Sequence, residues 1–285
     1  MQVYLKFIIL LISFVLINLK RYLMCFALLA LQQHPHYPFI LAANRDEFFN
    51  RTATALGVWP NHPEIVGGID QSSQGSWLAL NQASLKFALV TNVRQGIPQA
   101  GERSRGLLVS EFVTSPESVL SDLKQLEKTK NQYAGFNLLA GYLPNEIYYL
   151  SNRYSNDWRV LKKGLYGLSN ASLNAPWPKV QRGLFGFEQL VMNSREVDQS
   201  LLVNKLFELL ADQTKAKLEQ LPNTGIGTEK ELWLSPIFIA PGFMNYGTRC
   251  STVILMDKSK QVFCYERTYY SDNRSSDAIY FFHSV

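Results

Sequence analysis

The sequence Met24-Cys25-Phe26-Ala27-Leu28-Leu29-Ala30-Leu31 is followed, after a turn, by a second apolar run at residues 39–43 and then by Asn44-Arg45-Asp46-Glu47. The turn, residues 34–38, contains two prolines and two histidines. Two short apolar runs on either side of such a turn predict an antiparallel hairpin. In this hairpin the second strand returns beside the first, and Arg45 and Asp46 lie next to Cys25.

Cys25 would carry two useful groups if it were the first residue of the mature chain, either because translation starts at Met24 or because a cleavage precedes Cys25. Its thiol is a nucleophile, and its free α-amine has an unperturbed pKa of about 8. An amine with that pKa can accept the thiol proton near neutral pH. The alternative is that Cys25 is an ordinary buried cysteine of a strand, and at this point the sequence leaves both interpretations open.

Residues 1–23 contain an apolar run at 7–19 between Lys6 and Lys20-Arg21. The run is shorter than the about 20 residues that a membrane-spanning helix needs, and no small-residue cleavage site follows it. Three interpretations remain: a start codon placed upstream of the true start, a processed leader, or a retained membrane anchor. A start at Met24 predicts a cytoplasmic protein, whereas a real leader predicts a membrane-associated or exported one.

Composition predicts a single domain over residues 24–285. The chain has 285 residues, of which 47% are hydrophobic, enough to build a sizeable core. Its formal charge is +5, but residues 1–23 carry three of the basic residues and no acidic one, which leaves 25 basic against 23 acidic residues. This balance gives no reason to expect a nucleic-acid partner.

The cysteines and histidines do not form a metal or disulfide pattern. Cys25, Cys250 and Cys264 are an odd number without CxxC spacing, which argues against a disulfide framework and a zinc site. Cys250 and Cys264 are expected to be small core residues. His34 and His36 could form a metal pair, but an exposed turn is the preferred interpretation.

The rest of the chain alternates predicted hairpins with helical stretches. A helix is predicted after Ser115 as N-cap, and a second helical region at 176–210 is expected to break near residues 193–194. This pattern favours an α+β domain in which helices stack on a sheet sandwich. The predicted strands are 77–80 with 86–93, 134–142 with 146–151, 251–256 with 261–269, and 165–169.

The tetrapeptide Asn44-Arg45-Asp46-Glu47 behind Met24-Cys25 resembles the NRDE family, the group similar to transport and Golgi organisation protein two. Members of that family begin at the Met-Cys pair, so residues 1–23 depart from the pattern. The resemblance spans about residues 24–270. Further blocks in the same order support it: residues 75–81, 88–94, 104–106, 133–137, 166–170 and 251–253.

The NRDE family is in turn similar to the N-terminal nucleophile hydrolases, and this resemblance implies a four-layer αββα sandwich of two antiparallel sheets between helical layers. Comparison with choloylglycine hydrolases and penicillin V acylases implies a set of site residues. The candidate catalytic residues in this sequence are Cys25, Arg45, Asp46, Asn92, Asn170 and Arg249.

The resemblance also implies roles. Cys25 would attack a carbonyl, Asp46 would orient the amine, and Arg45 would favour the thiolate. Asn92 or Asn170 would stabilise an oxyanion, and Arg249 would hold the site together or bind a substrate anion. Each residue also has a structural interpretation: Arg45 and Asp46 as an ion pair, the asparagines as strand caps. Glu47 is expected to face outward or to cap the next turn.

Two classes of function follow from the resemblance. The first is an amidohydrolase that acts on a non-peptide C–N bond of an N-acyl compound and requires no cofactor. The second is a non-catalytic protein of the same fold that handles haem, a lipid or acyl-CoA, with haem as a possible ligand. A membrane partner is expected only if residues 1–23 are retained.

Overall fold

A computed structural model describes residues 24–96, 101–155, 157–193, 198–242 and 245–283. Residues 1–23, and with them the predictions made for the leader, lie outside the described residues. Within the described ranges, no helix is both long and apolar enough to cross a membrane.

The elements follow one another along the chain as short strands with helices between them. In chain order they are β1 (Met24–Leu31), β2 (Phe39–Phe48), β3 (Gly57–Trp59), β4 (His62–Gly67), β5 (Leu78–Asn81), β6 (Lys86–Asn92), α1 (Gly106–Thr114), α2 (Val119–Thr129), β7 (Phe136–Tyr142), β8 (Glu146–Ser151), β9 (Arg159–Val160), β10 (Gly164–Leu168), α3 (Pro178–Asn193), α4 (Gln199–Leu210), α5 (Thr228–Trp233), β11 (Tyr246–Met256), β12 (Gln261–Tyr269) and β13 (Ser275–His283). Short 3-10 turns lie at Lys130–Gln132 and Leu218–Gln220.

The strands form two antiparallel sheets. Sheet A has the order β10-β1-β2-β11-β12-β13, and sheet B has the order β3-β4-β5-β6-β7-β8-β9. Sheet B is built entirely from neighbours in sequence, whereas sheet A joins β1 and β2 to strands from the second half of the chain. This long-range pairing brings residues near Arg249 alongside residues near Arg45.

Three hydrophobic clusters separate four layers. The central cluster holds side chains from both sheets, such as Leu29, Leu41 and Phe87. A second cluster packs α1 and α2 on the outer face of sheet B, and a third packs α3 and α4 on the outer face of sheet A. The predicted α+β, four-layer αββα arrangement is therefore confirmed.

The second predicted helical region is confirmed as α3 and α4, but the helix predicted from Ser115 begins later. Ser118 is the N-cap of α2, and its side chain accepts a hydrogen bond from the Ser121 amide. Ser115 instead ends α1 in an extended conformation, and its carbonyl accepts a 2.9 Å hydrogen bond from Lys86 Nζ. The buried Lys86 ammonium thus ties the segment between the two helices to β6.

Candidate active site

Cys25 lies directly opposite Arg45 in the antiparallel pair β1–β2, and Met24 lies opposite Asp46. Side chains of a strand alternate between its two faces. Ala27 and Leu29 point into the central cluster, so Cys25, which has the same parity, points to the side between the sheets. Asp46 has the opposite parity from Arg45 and belongs to the face of sheet A that is covered by helices.

A cavity of about 520 Å³ opens where Cys25 lies. Four of the six candidate catalytic residues line it: Cys25, Arg45, Asp46 and Asn92. The other charged lining residues are Glu47, Arg51, Asp70, Arg103, Arg105 and Arg153. Asn170 and Arg249 are not among the lining residues.

Arg45 is held by a buried ion-pair cluster. Its Nη2 donates to Asp70 Oδ2 at 2.9 Å and lies 3.8 Å from Glu47 Oε2. Arg51 Nε donates to the same Asp70 oxygen at 2.6 Å and lies 3.5 Å from Glu47 Oε2. The Arg45 guanidinium also stacks 4.3 Å from the ring centroid of Trp77. Two arginines and two carboxylates therefore fix the Arg45 side chain beside Cys25.

Glu47 does not face outward, so that part of the prediction is wrong. Its side chain is buried, lines the cavity and accepts a 2.8 Å hydrogen bond from the Phe48 amide. The reason is strand parity, because Glu47 follows Arg45 on the same face of β2. The nearby arginines compensate its charge, although burial still raises its pKa.

Asp46 is buried on the helix side of sheet A. Its Oδ1 accepts a 2.7 Å hydrogen bond from Thr248 Oγ1, and its Oδ2 has no hydrogen-bond partner among the described residues. Burial raises the pKa of Asp46 to about 6, against the opposing effect of Lys179. Burial likewise lowers the pKa of Lys179 to about 8. The two groups form an incompletely compensated charge pair beside the start of β1.

The surroundings of Cys25 favour the thiol over the thiolate. Burial, followed by the Asp46 carboxylate, raises its pKa to about 12. Arg45 and a hydrogen bond from the Asp46 backbone amide act in the opposite direction but are outweighed. Arg45 thus lowers the pKa of Cys25, but its effect is smaller than that of burial while Cys25 is an internal residue.

Asn170 lies behind the cavity wall rather than in it. Its Nδ2 donates to the Asn92 backbone carbonyl at 2.9 Å, and its own carbonyl accepts a 2.8 Å hydrogen bond from the Arg94 amide. Ser169, which precedes it, donates to the Cys25 carbonyl at 3.1 Å. These contacts join the end of β6 in sheet B to β1 in sheet A, so Asn170 holds Asn92 in place beside Cys25.

Arg249 lies at a β-bulge between Thr248 and Cys250 in β11. Its Nη1 donates to the carbonyls of Phe48 and Arg51 at 2.9 and 3.0 Å. Arg249 thus closes the loop after β2 and supports the ion-pair cluster from outside. Its predicted role in binding a substrate anion or holding the site together stays a prediction.

Cys250, Cys264 and His34 are buried within the fold. Cys250 and Cys264 are buried free thiols, as predicted. His34 is buried rather than exposed, and its Nδ1 accepts hydrogen bonds from the His36 and Tyr37 amides at 3.1 and 3.2 Å. Within the described part of the chain, no group of three potential metal ligands occurs.

Sequence reasoning missed Asp70, Arg51 and Arg105 as cavity residues. Arg51 and Asp70 carried no signal, because each comes from a loop whose path the pattern of strands does not define. Arg105 did carry one, since the block Ser104-Arg105-Gly106 contributed to the NRDE resemblance. Nothing in the sequence places that block near Cys25, because the approach of the two segments depends on the packing of the two sheets.

Comparison with known proteins gives one consistent family. The sequence profile of Transport and Golgi organisation 2 matches residues 24–271. A Transport and Golgi organization protein 2 homolog from Bos taurus is 37% identical over 244 residues, which cover 81% of this chain and 87% of the relative. The homolog from Homo sapiens is 34% identical with the same coverage, and the Drosophila melanogaster protein is 28% identical over 81% of this chain and 86% of its own length. The chain therefore belongs to the Transport and Golgi organisation 2 family, the NRDE family.

Proposed function

We propose that the protein is an N-terminal cysteine amidohydrolase that cleaves a non-peptide C–N bond of an N-acyl compound when Cys25 is the first residue of the chain. The observation that carries the proposal is the buried Asp46 carboxylate, whose Oδ2 has no hydrogen-bond partner among the described residues. Met24 pairs with Asp46, so a chain that began at Cys25 would place its ammonium beside this oxygen. Such a partner would satisfy a buried group that is otherwise costly.

The α-amine would also supply the base that the thiol needs. With a pKa of about 12, Cys25 cannot ionise by itself near neutral pH. In the proposed reaction the thiol proton passes to the α-amine while Sγ adds to the acyl carbon. The C–N bond then breaks, and the leaving amine takes the proton from the ammonium. Water hydrolyses the thioester, which releases the acid and restores the thiol.

Asn92 is the preferred oxyanion donor of the two asparagines. Asn170 Nδ2 is already engaged with the Asn92 carbonyl, whereas Asn92 lines the cavity with Cys25. One preorganised donor of this kind contributes roughly 3–4 kcal/mol to stabilising the transition state. Arg45 would remain the electrostatic partner of the thiolate, held by Asp70.

The test compares two proteins: the full chain, and a chain that starts at Met24 and loses that methionine. Both are incubated with a panel of N-acyl amino acids and N-acyl amines, and release of the acid is followed by mass spectrometry. We expect hydrolysis only when Cys25 is N-terminal, and none after Cys25→Ala in that chain. A chain that keeps Met24 ahead of Cys25 is the matched control, because it retains the thiol and lacks the free amine. Equal hydrolysis with and without a free Cys25 amine would contradict the mechanism.

The raised pKa of Cys25 favours a second candidate, a non-catalytic protein that binds a lipid, acyl-CoA or haem in the same cavity. Of the residue types that ligate haem iron, Cys25 alone occurs among the described residues of the cavity lining, and the iron requires the thiolate form. The arginine-rich lining suits an anionic ligand better than a haem macrocycle. Full binding of such a ligand by the Cys25→Ala chain, with no hydrolysis by any form, would favour this candidate.

A further inference from the structure

The cavity beside Cys25 carries more positive than negative side chains. Five arginines line it, against the carboxylates of Glu47 and Asp70, because the Asp46 side chain lies on the helix side of sheet A. Ion pairs inside a protein cancel much of this charge, so the positive charge that remains comes from arginines that are not paired with a carboxylate.

Three of the five are paired with carboxylates. Arg45 and Arg51 share Asp70 and both lie near Glu47, which balances two positive with two negative charges. Arg103 forms an ion pair with Glu111, outside the cavity.

Arg105 and Arg153 remain. Within the described ranges neither forms an ion pair with a carboxylate. Arg105 Nη1 donates to the Gly135 carbonyl at 3.0 Å, and Arg153 Nη1 donates to the carbonyl of the adjacent Asn152 at 3.1 Å. A guanidinium has five N–H donors, so most of the donors of both groups are available to a ligand.

The two guanidinium groups flank the same residue. Arg105 binds the Gly135 carbonyl, and a Cβ placed on Gly135 would lie 3.6 Å from Arg153 Nε. Gly135 itself lines the cavity. The two groups thus converge on one wall, with Arg105 close enough to Cys25 for the two to interact electrostatically.

A cation that is partly withdrawn from water is costly unless a counter-charge lies close to it. Arg105 is half-buried, and the Glu47 carboxylate interacts with it electrostatically without forming an ion pair. Burial lowers the pKa of Arg105 to about 10, which still leaves it charged at neutral pH. Planar guanidinium groups bind carboxylate and phosphate oxygens in pairs of hydrogen bonds. The two guanidinium groups, neither of which forms an ion pair within the described ranges, are therefore suited to an oxyanion on the ligand.

We propose that Arg105 and Arg153 form an anion-binding subsite on the Gly135 wall of the Cys25 cavity, which recognises a carboxylate or phosphate group carried by the ligand. The inference deepens the proposed function, since it assigns a chemical class to the ligand of the same cavity. It does not depend on hydrolysis, and a binding protein would use the subsite in the same way.

The first test uses Cys25 as a reporter in the full chain. Iodoacetate and iodoacetamide alkylate the same thiolate but differ in charge, so the ratio of their rates cancels any change in the Cys25 pKa. We expect Arg105→Gln to lower the ratio of the iodoacetate to the iodoacetamide rate by at least about tenfold, the effect of losing one charge-assisted hydrogen bond. Arg153→Gln should lower it less, because Arg153 is exposed.

Arg103→Gln is the matched control. It removes the same charge from the same cavity lining, but Arg103 is already paired with Glu111, so the ratio should change less than about twofold. Equal ratios in the wild type and the Arg105→Gln chain would overturn the proposal. So would an equal loss in Arg103→Gln, which would indicate a diffuse field instead of a subsite.

The second test does not need a reactive thiol. In the full chain with Cys25→Ala, the Arg105 Nε–H resonance is assigned by its loss in the additional variant Arg105→Gln. Inorganic phosphate and acetate are then titrated separately. A saturable shift with phosphate alone assigns a phosphate ligand, and one with acetate alone assigns a carboxylate. No saturable shift with either anion would refute the subsite, whether or not the protein hydrolyses any N-acyl compound.

Discussion

The side-chain amide of Asn170 donates a 2.9 Å hydrogen bond to the backbone carbonyl of Asn92, across the gap between the two sheets. Asn170 is fully buried, whereas Asn92 borders the cavity. The two asparagines that sequence comparison treats alike thus have different surroundings: Asn170 holds the backbone of Asn92, and Asn92 borders the cavity.

This relationship predicts different results for the two alanine variants. Asn170→Ala should lower the free energy of unfolding by about 2 kcal/mol, because it leaves the buried Asn92 carbonyl without its donor. Asn92→Ala should change stability by less than about 1 kcal/mol while lowering any hydrolysis by about 100-fold or more. Urea unfolding measures the first effect and steady-state kinetics the second. Equal destabilisation by both variants would contradict the division of tasks.

Cys25 alkylation should report the protonated thiol. In the full chain, where the pKa of Cys25 is raised to about 12, the rate with iodoacetamide should rise about tenfold for each pH unit between 7 and 9, since only the thiolate reacts. Cys250 and Cys264 are buried and should react more slowly, as peptide mapping would reveal. When Cys25 is N-terminal, we expect a faster reaction that levels off at lower pH. A plateau below pH 8 in the full chain would show that the pKa is not raised.

The Asp46–Lys179 pair should make stability depend on pH. The folded-state pKa of Asp46 is raised from 3.8 to about 6, so its contribution to stability is present below the unfolded pKa and is lost as pH rises through 6. The folded-state pKa of Lys179 is lowered from 10.5 to about 8, so the contribution of Lys179 to stability is lost as pH falls through 8. Asp46→Asn removes the first effect and lowers the Lys179 pKa further. Both changes make the stability of the variant, relative to the wild type, increase as pH rises.

We therefore expect the stability of Asp46→Asn relative to the wild type to increase between pH 5 and pH 8, by on the order of 2 kcal/mol. Urea unfolding at the two pH values measures this. Asp212→Asn is the control, because the pKa of Asp212 is lowered by its contacts to Thr214 and Arg182 against the effect of burial, and its contribution does not change above pH 5. A constant difference for Asp46→Asn would refute the burial-driven shift.

Removing Asp70 should destabilise the protein by about 3 kcal/mol, because Asp70→Asn leaves the buried Arg45 guanidinium with only the more distant Glu47 as a counter-charge. The exposed pair of Arg267 with Asp277 offers a comparison. Asp277→Asn should cost less than about 1 kcal/mol, since solvent screens that pair. Thermal and urea unfolding of both variants measure the difference. A loss of stability as small for Asp70→Asn as for Asp277→Asn would show that Arg45 does not depend on Asp70.

The sequence by itself determined the local features of this protein. Short apolar runs around the turn at 34–38 predicted the β1–β2 hairpin, and strand alternation then put Cys25 opposite Arg45. Helical spacing located α3 and α4. Those features depend on contacts between residues close in sequence, which patterns of side chains record directly.

Helix α1 and strand β13 were not predicted. Helix α1 has apolar residues over much of its surface, and β13 is an edge strand whose Ile279 and Phe281 remain exposed. Neither has the regular separation of an apolar face from a polar one on which sequence patterns depend. Packing against sheet B defines α1, and pairing with β12 defines β13.

The tertiary structure alone decided which charges meet in the cavity. Asp70 reaches Arg45 from a loop, Lys179 reaches Asp46 from α3, and Arg105 reaches Gly135 from the start of α1. Burial raises the pKa of Cys25 while it is an internal residue, because the desolvation of a thiolate outweighs one nearby arginine. The sequence names the charged groups, but their pKa values depend on distances and burial that exist only after the two sheets have packed together.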